Sequence, residues 1–124
     1  MRTIVLLAIV AAVLGGLAAG IRPAHAQYGA IAYDSANCAW GDSWNYATQA
    51  AADARALADC KGAACKIVAP IAPHFCGALA ATANCKGWGA ATRPTKDGAL
   101  LAAIQDCQHY NAGQCTVRAS DCNR

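Results

Sequence analysis

One kind of segment, an alanine-rich run closing on two cysteines, occurs twice in this chain, and no other feature constrains the fold as tightly. Tyr46 to Cys65 reads YATQAAADARALADCKGAAC, and Arg93 to Cys115 reads RPTKDGALLAAIQDCQHYNAGQC. Each run sets a threonine, Thr48 or Thr95, before the alanines, ends in Asp-Cys, and turns through a short polar loop to a second cysteine. A threonine hydroxyl in that place can accept an orphan N–H of a first helical turn, which predicts a capped helix.

The correspondence extends along the chain. GAIA from Gly29 returns as GALA from Gly77, Asn37-Cys38 as Asn84-Cys85, and Trp40-Gly41 as Trp88-Gly89. Leu57 returns as Ile104, Asp59-Cys60 as Asp106-Cys107, and Ile67 as Val117. Recurrence in the same order predicts an internal duplication, with repeat one over 28–75 and repeat two over 76–124. Each repeat reads β-hairpin, helix, short strand. In the first, Gly29 to Tyr33 is the opening strand, Asp34 to Asn37 the turn and Ala39 to Tyr46 the returning strand. The helix from Thr48 is expected to bury Ala50, Ala54, Leu57 and Ala58, to expose Gln49, Asp53 and Asp59, and to end at Gly62. Cys65 to Ala69 is the closing strand, stopped by Pro70 and Pro73. Neither half can bury its apolar face alone. The expected fold class is therefore α+β: two pseudo-twofold repeats with antiparallel strands packed on two helices.

Residues 1–26 read as a signal peptide. Arg2 gives the positive start, Ile4 to Ala19 is apolar or small, and Ala24-His25-Ala26 is a small-x-small cleavage pattern, making Gln27 the expected mature N-terminus. The apolar run falls short of the roughly 20 residues of a membrane span. The remaining 27–124 is expected to be a single domain with no span. Arg2 and Arg22 belong to the leader, so the mature chain has eight basic residues against seven aspartates and no glutamate, a formal charge of +1. No basic stripe is left for nucleic acid.

All eight cysteines lie in the mature part. An even set in a short exported chain predicts a disulfide framework and an oxidising compartment, the periplasm or outside the cell. Symmetry narrows the pairings: Cys60 with Cys65 and Cys107 with Cys115 staple each helix end to its following strand. Cys38 with Cys85 joins equivalent hairpin turns, and Cys76 with Cys122 joins equivalent segment ends. The local bridges should contribute about 2–3 kcal/mol each, and the two longer ones, read as bridges between repeats, about 4 kcal/mol.

Tyr28, Gly29, Ile31 and Ala32, the Trp-Gly hairpin, the alanine-rich helix ending at Cys60 with Cys65, and the run Cys76-Gly77-Ala78-Leu79-Ala80 together carry a resemblance. Over Tyr28 to Cys122 the chain resembles the small exported bacterial proteins grouped as domain of unknown function 4189. The resemblance implies an exported bacterial protein with a duplicated, disulfide-bonded domain, and it brings no catalytic residues. Cys38 and Cys85 are additions to the pattern of that family.

Chemistry-bearing residues are few. The cysteine spacings contain no CxxC, which argues against a thioredoxin-like motif and a zinc knuckle. His74 near Cys76 suggests a Cys/His nucleophile pair, but an exported thiol among seven others is expected to be bridged. His74 and His109 are too few ligands for a metal, and Asp34, Asn37 and Asp42 read as turn residues rather than a calcium loop. No cofactor is implied. Trp40, Trp44, Tyr46 and Trp88 cluster in the hairpins, with Trp40 and Trp44 on one side of a strand. Buried, they form core; exposed, they offer a platform for a glycan or protein ligand beside Asp42 and Asn45. The expectation is a non-enzymatic binding or structural module of the bacterial envelope or extracellular space. The alternatives are a secreted redox or hydrolytic enzyme without a motif, and a secreted inhibitor or effector.

Overall fold

The computed structural model describes residues 26–110 and 113–124. The expected leader and cleavage point therefore lie outside the described residues, save for Ala26. The chain runs β1 (Tyr28–Asp34), β2 (Ala39–Tyr46), α1 (Gln49–Asp59), β3 (Lys66–Ile71), β4 (Cys76–Ala81), β5 (Trp88–Arg93), α2 (Lys96–Tyr110) and β6 (Thr116–Cys122). Two antiparallel three-stranded sheets result, ordered β2-β1-β3 and β5-β4-β6. Among the described residues no helix is long and apolar enough to cross a membrane.

Period-two alternation in the central strands builds the layers. Ala30 and Ala32 of β1 turn to α1 and meet Ala52, Ala56 and Cys60. Ala78 and Ala80 of β4 turn to α2 and meet Ala99, Ala103 and Cys107. Ile31, Tyr33, Leu79 and Ala81 point the other way and meet each other, with Ala69, Ile71 and Ala119. The order of layers is thus helix, sheet, sheet, helix. The largest buried side chains are in the middle, and alanines fill the two outer seams.

Alanine is required in those seams because the helices sit close. A Cβ on Gly41 would overlap Ala56 O and Cys60 N, and one on Gly89 would overlap Ala103 O and Cys107 N. Thr48 Oγ1 accepts from Ala51 N at 3.1 Å, and Thr95 Oγ1 accepts from Gly98 N at 3.1 Å, so both threonines cap their helices. The buried face of α1 is not the expected one. Ala52 and Ala56 are buried, whereas Ala50, Ala54 and Ala58 are exposed and Leu57 is 39% exposed. In an alanine-rich helix several stripes satisfy the same spacing. The close approach at Gly41 selects the one that presents only methyl groups.

Two boundaries also differ. The helix stops at Asp59, with Cys60 N–H donating to Ala56 O, because the bridge to Cys65 turns the chain there. Gly62 serves instead to clear the Asp34 carboxylate, which a Cβ would overlap. Strand β3 continues through Pro70 to Ile71. As an edge strand it can carry a proline whose missing N–H faces outward.

Register repeats between the sheets. Opposite β3, β1 shifts between Ile31 and Ala32, so that Val68 is skipped. Opposite β6, β4 shifts between Leu79 and Ala80, so that Arg118 is skipped. Four disulfides close the structure: Cys60–Cys65, Cys107–Cys115, Cys38–Cys85 and Cys76–Cys122. Cys76 and Cys122 are register partners on β4 and β6, so that bridge is inside the second sheet and does not join the halves. Of the four bridges only Cys38–Cys85 ties one sheet to the other, through the two hairpin turns.

Candidate functional site

Strand β2 reads AWGDSWNY, and its alternation divides the aromatic residues. Gly41 and Ser43 face α1, where Ser43 Oγ donates to Ala52 O at 2.6 Å. Trp40, Asp42 and Trp44 therefore share the opposite, inter-sheet face. Trp44 is half-buried against the inter-sheet core, and its indole N–H donates to Asp42 Oδ2 at 3.1 Å. Trp40 is the register partner of Tyr33 and is 39% exposed. At Asn45 the backbone takes φ 62° and the β1–β2 register shifts, which turns Tyr46 to the helix side beside Tyr28. Trp88 is half-buried on the second sheet and tilts against Tyr33, with ring centroids 5.7 Å apart. The four aromatics thus fall into three environments. Trp44 and Trp88 pack on the inter-sheet core, Trp40 is exposed, and Tyr46 packs in the outer seam.

Three further residues organise this end of the molecule. Tyr33, 2% exposed, donates its hydroxyl to Cys85 O at 2.7 Å. Burial pushes its phenol above the ordinary value; the positive charge of Arg118 opposes this, and Asp34 adds to it. Asp34, 1% exposed, accepts from Asn37 Nδ2 at 2.7 Å, Ala64 N at 3.0 Å, Ala36 N at 2.9 Å and Asn37 N at 3.3 Å. The Asn37 side-chain bond above all, then Ala64 N–H, holds the carboxyl below its usual 3.8. Asp34 so ties the first hairpin turn to the loop after α1. In the second hairpin Thr82 Oγ1 accepts from Gly87 N at 3.1 Å and lies 2.7 Å from Asn84 Oδ1.

Asn123 binds the two sheets at their far end. Its Nδ2 donates to Ile71 O and Ala72 O, each at 3.0 Å, and its Oδ1 accepts from Asn45 N at 3.1 Å. Nothing in its sequence context signals this role, since its partners are far away in the chain.

His74 is exposed in the β3–β4 turn with φ 64°, and His109 is exposed in the last turn of α2. Cys76 is bonded to Cys122, so His74 has no thiol there to activate. Among the described residues no group of three or more His, Cys, Asp or Glu could hold a metal ion.

The family model described as Domain of unknown function (DUF4189) matches residues 28–122, from the first strand to the last. The chain belongs to the DUF4189 family. Protein Rv1269c and Protein MT1307 of Mycobacterium tuberculosis and Protein Mb1300c of Mycobacterium bovis are each 43% identical to it over 79 residues. The match covers 64% of this chain and 56% of each relative, so this DUF4189 chain aligns with little more than half of their length. No solved structure matches the chain.

Proposed function

We propose that this DUF4189 chain is exported with loss of residues 1–26 and acts outside the cytoplasm as a non-enzymatic binding or structural module. One observation carries the reading: all eight cysteines are closed into four bridges and none is free. Such a set is the mark of an oxidising compartment. The polar chemistry points the same way. Asp34 and Asn123, the buried groups best suited to a reaction, spend their hydrogen bonds on the protein's own loops and strands. The module is a duplicated pair of units, a reading supported by identical strand order and by the matched register shifts at Val68 and Arg118.

Intact mass of protein exported from a bacterial host tests this, with alkylation before reduction. The expected mass fits cleavage after Ala26, lacks the eight thiol hydrogens of the reduced chain, and gains no alkyl group. Two reactive thiols, or a mass that retains the leader, would sink the proposal.

A further inference from the structure

Two covalent and polar ties fix how the sheets stack. Cys38–Cys85 holds the β1–β2 turn over the β4–β5 turn, and Asn45 with Asn123 holds the far end of β2 over the end of β6. Strand β2 therefore lies over β6 with both running the same way, and β3 lies over β5 on the opposite side. The sandwich has two edges of matching backbone, and register shows which residues correspond. Asp42 stands opposite Ile31 as Ala90 stands opposite Leu79. Trp40 and Trp88 occupy the same hairpin position, and Arg118 and Val68 are the skipped residues of their strands.

The β3/β5 edge is apolar. Val68, Trp88 and Ala90 all pack on the inter-sheet core, and Trp88 seats on Tyr33. At the corresponding positions the β2/β6 edge carries Arg118, Trp40 and Asp42. Arg118 and Asp42 are half-buried, and Trp40 keeps a large exposed surface. Two charged side chains thus stand where valine and alanine serve at the other edge. The ion pair found among the described residues is elsewhere, between Arg55 and Asp59. Both groups are nevertheless aimed. The Trp44 indole orients Asp42, and Thr82 O at 3.2 Å anchors Nη2 of Arg118.

We propose that the β2/β6 edge is a glycan-binding site, with Trp40 as the stacking face and Asp42 and Arg118 as its acceptor and donor. The flat indole matches the C–H face of a pyranose ring, and a carboxylate and a guanidinium on the same edge can satisfy its hydroxyls. The pair sums to no net charge, which suits a neutral sugar better than a phosphate-rich ligand. A protein partner would need a broader apolar patch, whereas Ala36, Asn37 and Cys38 in the turn that leads into β2 are small or polar. This assignment names the ligand class of the extracytoplasmic binding module proposed above and rests on that reading.

The test uses the mature, fully bridged chain and titrates soluble oligomers of N-acetylglucosamine, of glucose and of galactose, reading tryptophan fluorescence and binding heat. At least one oligomer is expected to bind saturably. Trp40→Ala should weaken that binding at least tenfold and Asp42→Asn severalfold, with melting temperature and the absence of reactive thiols unchanged. Arg118→Met tests the donor arm and should likewise weaken binding. Failure of all three oligomers to bind, or binding that survives Trp40→Ala, overturns the site, as does a Trp40-dependent complex with a protein instead of a sugar. With the mass and thiol count of the exported chain as expected, such a failure removes the glycan site alone. Reactive thiols would remove the module reading whatever the sugars do.

Discussion

Asp34 ends β1 with its carboxylate nearly withdrawn from water, and its value lies in the N–H groups it collects. Because its folded pKa lies below the ordinary 3.8, the unfolded chain binds its proton first as pH falls. Its contribution is therefore complete above the ordinary value and is lost as pH drops through the lower folded value. Urea midpoints measured from neutral pH down to about pH 2 should show this acid-side loss. Asp34→Asn should lower the midpoint at neutral pH, because an amide NH2 would face N–H donors, and should flatten the acid-side slope. An unchanged slope in the variant would assign the acid sensitivity to another carboxylate. The sequence marks Asp34 as a turn residue but gives no sign of Ala64, its partner across the α1 loop. That contact needs the helix to return the chain to the hairpin.

At the scale of elements, the two outer seams decide what the helices tolerate. Leu57 looks like the anchor of α1 in the sequence, yet it is exposed while Ala56 lies under Gly41. Leu57→Ala should therefore change stability by less than about 0.5 kcal/mol, as a surface substitution does. Ala56→Leu should cost about 1–3 kcal/mol or more, because the added carbons meet backbone that cannot retreat. Thermal unfolding of the two variants checks the pair, and equal effects would contradict the close seam. Helix existence and capping were legible in the sequence because Thr48, Thr95 and the alanine runs act locally. The buried stripe was not, because alanine spacing alone offers several.

For the whole molecule, the bridge between Cys38 and Cys85 is the covalent tie between the two sheets. Cys38 is an exposed residue, whereas the other three bridges each pair a buried cysteine with a half-buried one. Thiol–disulfide exchange needs access to a sulfur, so limited reduction should open Cys38–Cys85 first. Alkylation followed by peptide mapping should find label at Cys38 and Cys85 before any other cysteine. Early label at Cys107 or Cys115 would contradict this order. Replacing both residues by alanine should lower stability by about 3–4 kcal/mol in the chain-entropy model, since the bridge spans 47 residues.

What the sequence determined by itself was what acts locally or repeats: the capped helices, the hairpins, the order of elements and the closure of the cysteines in pairs. Those follow from residue type and spacing, which operate over a few neighbours. The tertiary structure alone decided that the sheets stack face to face with helices outside, and that Cys76–Cys122 stays within one sheet. It also decided that Asn45 turns Tyr46 away from Trp40 and Trp44, and that of two matching edges one is apolar and one polar. Each of these depends on which residues meet across large sequence separations, and hydrophobic pattern along one strand carries no information about its distant partner.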